Sequence, residues 1–157
     1  NFKFLFLFFI FLFFYNGMQD KKTITGNAII IDGDTIHINN DKIRLHGIDA
    51  PEINQTCIYN QKEWDCGKKS YEFLKNLTFK KTVSCNIMNK DKYKRYIGIC
   101  YVNKKNINSY IVEKGWAIAY RYYSKDYIEK EFIAKKNKSG IWKGEFEAPY
   151  LFRKKNN

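Results

Sequence analysis

Proline is nearly absent from this 157-residue chain, which holds two, Pro51 and Pro149. That scarcity excludes collagen-like and proline-rich low-complexity architectures. Histidine is equally rare, at two residues, and the four cysteines (Cys57, Cys66, Cys85 and Cys100) contain no CxxC spacing. A structural zinc site therefore lacks its usual ligand pattern. Negative charge is in deficit: 16 Asp plus Glu stand against 28 Lys plus Arg, a formal net charge of +12. The longest apolar run, Phe4 to Tyr15, has 12 residues, whereas a bilayer-spanning helix needs about 20. Eight of the 13 phenylalanines fall between Phe2 and Phe14, so the rest of the chain has ordinary apolar content. That content excludes both a multi-span membrane protein and a wholly disordered one.

What is present divides the chain in three. Residues 1–18 carry Lys3 followed by the 12-residue apolar run, the length of a secretory h-region. An export signal is the reading that fits best, and an uncleaved N-terminal anchor is the alternative. Residues 19–148 are long enough for one core. Residues 149–157 read as a basic flexible tail. All 16 acidic residues and all but one of the basic residues follow Gly17, so a processed chain keeps a charge of +11 and favours a polyanionic partner.

Along the middle segment, Gly26 to Ile31 reads as a strand. Ile36 and Ile38, with Ile43 and Leu45, flank Asn39-Asn40-Asp41 as a β-hairpin. Residues 53–65 read as a loop, and residues 67–77 as a helix. Lys80–Asn89 and Arg95–Asn103 form a second hairpin around Asp91-Lys92-Tyr93-Lys94. A turn centred between Lys92 and Tyr93 sets Cys85 opposite Cys100, within disulfide reach, and leaves Cys57 to pair with Cys66. Asn108 to Lys114 fits a short helix stopped by Gly115. A third helix over about 125–138 takes Tyr127, Ile128, Phe132 and Ile133 as its apolar stripe, and Trp142 packs back on the core. Five short strands with about three helices predict an α+β domain around a small barrel.

Two segments carry chemistry: Asp32-Gly33-Asp34-Thr35 and Arg44-Leu45-His46-Gly47-Ile48-Asp49-Ala50-Pro51-Glu52. Carboxylates are hard oxygen ligands for Mg²⁺ or Ca²⁺, a guanidinium grips phosphate in a fork, and a further carboxylate positions water. Asp-Gly alone marks a turn more often than a site. Arg44 and Asp49 lie five apart, so an unbroken strand points them to opposite faces. Their convergence requires a bend, and Gly47 is the residue that permits one. His46 reads as a packed or surface histidine. Asp91-Lys92-Tyr93-Lys94-Arg95 offers a second arginine.

These three motifs, in this order and at this spacing, resemble those of the staphylococcal nuclease (thermonuclease) family. Gly115-Trp116-Ala117 with the tyrosines after it, and Gly140-Ile141-Trp142, resemble that family's C-terminal part. The likeness runs from about Thr25 to Trp142, and the four cysteines resemble those of exported members. The resemblance implies an OB-fold, five-stranded barrel that cuts DNA and RNA with Ca²⁺, leaving a 3′-phosphate. It implies that Asp34, Asp49 and the backbone carbonyl of Ala50 hold the ion, that Arg44 and Arg95 bind the phosphate, and that Glu52 activates water. Lys92 and Tyr93, with one of Tyr120, Tyr122 and Tyr123, correspond to nucleotide-contacting positions. Substrate is expected to be single-stranded or frayed, and the protein a secreted or periplasmic monomer. Two positions depart from the pattern: Ala50 replaces a hydroxyl residue found in some members, and Lys94 stands where glycine is frequent. The alternative is an OB module that binds nucleic acid without cutting it. A cationic protein acting on membranes or acidic glycans is a poorer fit, because no basic amphipathic helix dominates the sequence.

Overall fold

The computed structural model describes residues 22–156; the proposed leader over residues 1–18 lies outside them. Among the described residues, ten strands and four helices follow in order: β1 (Thr23–Asp32), β2 (Thr35–Ile38), β3 (Asp41–Leu45), β4 (Ile48–Asp49), β5 (Cys57–Tyr59), β6 (Lys62–Trp64), α1 (Cys66–Thr78), β7 (Thr82–Lys90), β8 (Tyr96–Val102), β9 (Lys105–Asn106), α2 (Ile107–Glu113), β10 (Ile118–Ala119), α3 (Ile128–Lys136) and α4 (Pro149–Asn156). A 3₁₀ turn, Gly140–Lys143, sits between α3 and α4. The main sheet runs β3-β2-β1-β7-β8-β9, and β3 also pairs with β8. That second pairing is parallel, Ile43 to Tyr96 through Leu45 to Gly98. It closes five strands into a mixed barrel, the OB-fold architecture expected from the resemblance.

Alternation drives closure. Ile36, Ile38, Ile43 and Leu45 are all buried at 1% exposure or less, with Val83, Cys85 and Cys100 across from them. The β2–β3 turn falls on Asn39-Asn40, with Ile38 opposite Asp41 and Asn39 at φ 55°, a left-handed conformation that asparagine tolerates. Asn108 seals the parallel seam: its Nδ2 donates to the carbonyls of His46 (3.0 Å) and Gly98 (3.1 Å), and its Oδ1 accepts from Cys100 N.

Both disulfides form as expected. Cys85 and Cys100 face each other across β7 and β8, and Met88 is the unpaired residue of a bulge between Ile87 and Asn89 beyond them. Cys57–Cys66 ties the β5–β6 hairpin to the start of α1, within a second apolar cluster of Ile118, Ile141, Trp64, Trp142 and Phe146. Each crosslink contributes about 2–4 kcal/mol by restricting the unfolded chain.

Three expectations need correction. Residues 53–65 are not all loop, since β5 and β6 pair within them. The stripe assigned to the third helix is half wrong. Tyr127 is buried at 4% exposure, but Phe132 is 67% exposed, and the buried residues of α3 are Glu131 and Ala134. Glu131 is held inside because its carboxylate accepts from Ala119 N (3.0 Å), Arg121 Nη2 (2.6 Å) and Lys135 Nζ (2.8 Å). Burial opposes its charge, yet those partners outweigh burial and hold the carboxyl below its ordinary range. Finally, the basic tail is helix α4. Pro149 at its first position suits a helix start, and Pro149 is buried.

Candidate active site

The site is built at one end of the barrel, where the β1–β2 turn, the bend after β3 and the loop after β4 meet. The bend supplies the reversal that parity demands. Gly47 lies at φ 72°, and a Cβ there would come within 3.0 Å of the Tyr127 ring; its carbonyl accepts from Tyr120 N at 2.9 Å. Beyond it, β4 pairs with β10, Asp49 opposite Ile118. Asp49 thereby returns to the side that Arg44 occupies.

Arg44 forks between two carboxylates. Its Nη1 donates to Asp34 Oδ1 in a very short ion pair, and its Nη2 donates to Asp49 Oδ1 at 2.9 Å. Asp34 also accepts from Ala50 N at Oδ2 (2.7 Å) and from Thr35 Oγ1 at Oδ1 (3.2 Å). Asp32 Oδ1 accepts from Asp34 N at 3.0 Å, shaping the turn. Both aspartates are buried, Asp34 at 1% and Asp49 at 0% exposure. Burial pushes the Asp34 carboxyl well above its ordinary range despite Arg44, and repulsion from Asp32 and Asp49 adds to the rise. Burial disfavours the Arg44 cation, but Asp34 and Asp49 prevail and raise it.

Glu52 lies next to this pair and is held by a guanidinium that the sequence reading did not anticipate. Arg153 of α4 donates from Nη1 to both Asp49 Oδ1 (2.8 Å) and Glu52 Oε1 (2.7 Å). The Glu52 backbone is fixed by buried Gln55, whose Oε1 accepts from Glu52 N at 3.2 Å and whose Nε2 donates to the Glu147 carbonyl at 2.7 Å. Neither residue belongs to a motif. The signals available were Pro149 and the apolar Tyr150-Leu151-Phe152, which a solvated tail does not need.

The structure thus brings together Asp34, Arg44, Asp49, Ala50 and Glu52. It pairs Arg95 elsewhere: Arg95 Nε donates to Asp91 Oδ2 at 2.8 Å, and its guanidinium lies 5.4 Å from the Tyr93 ring centre. Asp91 Oδ1 accepts from the backbone N–H of Tyr93 and of Arg95, which makes the turn, and Lys94 takes a left-handed φ of 64°. Arg95 precedes Ile97, the partner of Arg44 across the seam, by two residues, a step of roughly 7 Å along a strand. Lys92 sits over the same Tyr93 ring, 5.0 Å from its centre. Tyr120 lies beside Asp49: burial raises its hydroxyl pKa and the Asp49 charge raises it further. Tyr122 and Tyr123 are 82% and 66% exposed and pack edge-on to each other. His46 is a packed residue, with Nε2 3.8 Å from Asp126.

The donor set suits a hard divalent cation. Asp49 Oδ2 is buried with no hydrogen-bond partner among the described residues, a costly state for a carboxylate oxygen. Asp34 and Asp49 share Arg44, and Asp49 and Glu52 share Arg153. Among the described residues no three or more His, Cys, Asp or Glu side chains are grouped to hold an ion.

The family model described as staphylococcal nuclease homologue matches residues 42–144. The chain is 34% identical over 128 residues to the succinoglycan biosynthesis protein ExoI of Rhizobium meliloti (strain 1021), covering 79% of this chain and 67% of that one. It is 35% identical over 120 residues to an uncharacterized endonuclease of Haemophilus influenzae, covering 72% of this chain and 62% of the relative. It is 32% identical over 130 residues to a micrococcal nuclease of Shigella flexneri, covering 72% and 70% of the two chains. The chain therefore spans about two thirds of the length of these relatives. With a closed mixed barrel, the carboxylate–arginine cluster at its end and this family match, the chain belongs to the staphylococcal nuclease family and is a nuclease.

Proposed function

We propose that the chain hydrolyses phosphodiester bonds of DNA and RNA with Ca²⁺, leaving a 3′-phosphate and a free 5′-hydroxyl. The observation that carries this reading is the buried Asp49 Oδ2, without a hydrogen-bond partner among the described residues, beside Asp34 on the shared Arg44. Asp34, Asp49 and the Ala50 carbonyl are the ligands in this reading. A Ca²⁺ ion held there supplies a Lewis acid for a phosphoryl oxygen.

The chain's own groups do the rest. Glu52, fixed through Gln55 and Arg153, accepts a proton from the attacking water. The new bond forms between that water oxygen and phosphorus, the bond to the 5′-oxygen breaks on the opposite side, and that oxygen takes a proton from solvent water to become the 5′-hydroxyl. Arg44 donates N–H groups to the phosphoryl oxygens as charge grows on them. Arg95, once released from Asp91, serves the same phosphate and the departing 5′-oxygen. Exposed Tyr122 and Tyr123, with Tyr120, Tyr93 and Lys92, supply stacking faces and charge for unpaired bases, which favours single-stranded or frayed substrate. The two disulfides and the apolar leader support export to a periplasmic or extracellular space.

Digestion of plasmid DNA and of RNA tests the reading directly. Cleavage is expected with Ca²⁺, none with chelator, and a loss of at least about 10²-fold for Glu52→Ala. Tight oligonucleotide binding without cleavage under every metal condition would instead favour the non-catalytic OB module.

A further inference from the structure

Helix α4 reaches the carboxylates by an anchored route. Ile58 and Glu145 exchange both backbone hydrogen bonds at 2.8 Å, and Gln55 Nε2 holds the Glu147 carbonyl. Tyr150 then stacks on Tyr120 with ring centres 6.0 Å apart. One turn later Arg153 arrives between Asp49 and Glu52. These contacts tie the segment to β5, to the Glu52 loop and to Tyr120, so Arg153 is placed there by the fold.

Arg153 spends a single nitrogen on both carboxylates. Its Nη2 and Nε have no partner among the described residues, although a guanidinium has five N–H donors in a planar fork. The side chain is 29% exposed, so those donors are open to a ligand. Arg95, the residue that sequence nominates as the second phosphate arginine, is occupied by Asp91. Lys155 on the same helix pairs with Glu147 and stays 70% exposed, which separates Arg153 from the general basicity of the segment.

We propose that Arg153 is a further catalytic residue: a third phosphate-binding guanidinium, delivered by the C-terminal helix, that holds Glu52 through Nη1 and grips the scissile phosphate with Nη2 and Nε. The proposal rests on the phosphodiesterase reading above. It gives α4 a task that the barrel does not perform, since no strand of the barrel presents a guanidinium to Glu52.

The test is steady-state cleavage of a single-stranded DNA oligonucleotide by the full chain and by Arg153→Ala, Arg153→Lys and Lys155→Ala, with thermal unfolding of each. For Arg153→Ala, kcat is expected to fall by about 10²-fold, well beyond any rise in KM. Arg153→Lys is expected to recover only part of that loss, because a point charge cannot bridge two carboxylates and fork a phosphate together. Lys155→Ala is expected to cleave like the parent. Binding of the same oligonucleotide in chelator gives a readout independent of turnover: Arg153→Ala lowers the salt slope of log affinity by about one. Parent-like kcat and salt slope in Arg153→Ala would overturn the proposal. So would a rise in kcat, which would make the contact a plug, or a loss matched by unfolding. Glu52→Ala and chelator report on the hydrolase reading separately: if both abolish cleavage while Arg153→Ala does not, this inference alone fails.

Discussion

Arg44→Ala is expected to lower kcat by about 10²–10³-fold or more, the range for removing a preorganised donor from a developing oxyanion. Arg44 is only 14% exposed and, among the described residues, is the one side chain paired with both Asp34 and Asp49. Its loss has two consequences. The phosphate loses a fork, and two buried aspartates lose the positive charge between them. Removing one partner from a buried ion pair destabilises by about 3–5 kcal/mol, because the remaining charge is stranded. The unfolding midpoint of Arg44→Ala is therefore expected to fall clearly in chelator and to recover in part when Ca²⁺ is added, since ligand binding to the folded state adds stability. Arg44→Lys is expected to restore stability better than turnover. A kcat for Arg44→Ala within tenfold of the parent, measured on folded protein, would remove Arg44 from the mechanism.

Gly67→Ala is expected to damage the site from behind. Gly67 is the second residue of α1, and its Cα faces the backbone of the Glu52 loop; a Cβ there would sit 1.7 Å from the Glu52 carbonyl oxygen. Gly67 N also donates to the Gln55 carbonyl at 3.0 Å. The obstacle is backbone, so the loop or the helix must move. Overpacking costs about 1–3 kcal/mol and occasionally more, and here the upper end is expected. Displacing Glu52 by about 1 Å is enough to cost 10²-fold in rate. Denaturant unfolding and kcat should both drop, although Gly67 touches no substrate. Parent-like values for both would show that the Glu52 loop is not braced by α1.

The fold and the site are most legible in the sequence where information is local. Alternation of Ile36, Ile38, Ile43 and Leu45 around Asn39-Asn40 carries the β2–β3 hairpin; the Cys85–Cys100 pairing is right for an incomplete reason, because the turn centres on Tyr93, with Lys90 opposite Tyr96, and the Met88 bulge shifts the register by one to set the cysteines opposite each other. Asp34, Arg44, Asp49, Ala50 and Glu52 span 19 positions on either side of one bend, so motif and parity together locate them. Legibility is poorest where partners are distant. Arg153 lies 104 residues from Asp49 and 101 from Glu52, and no periodicity reports such a contact. Glu131 misleads for the same reason: a carboxylate counts as solvent-facing until Arg121, Lys135 and Ala119 N are seen to satisfy it. Arg95 shows the converse. Its motif neighbour Asp91, four residues away, competes for it, and spacing alone does not say which carboxylate or phosphate wins.

The measurement that bears most directly on the account is calorimetric titration of Ca²⁺ into the parent chain and into Asp49→Asn and Asp34→Asn, without nucleic acid. The account predicts one ion bound by the parent, with affinity reduced by at least about tenfold in each variant, a difference of about 1.4 kcal/mol per site. Equal Ca²⁺ affinity in all three proteins, or cleavage by the parent that persists in chelator, would contradict it.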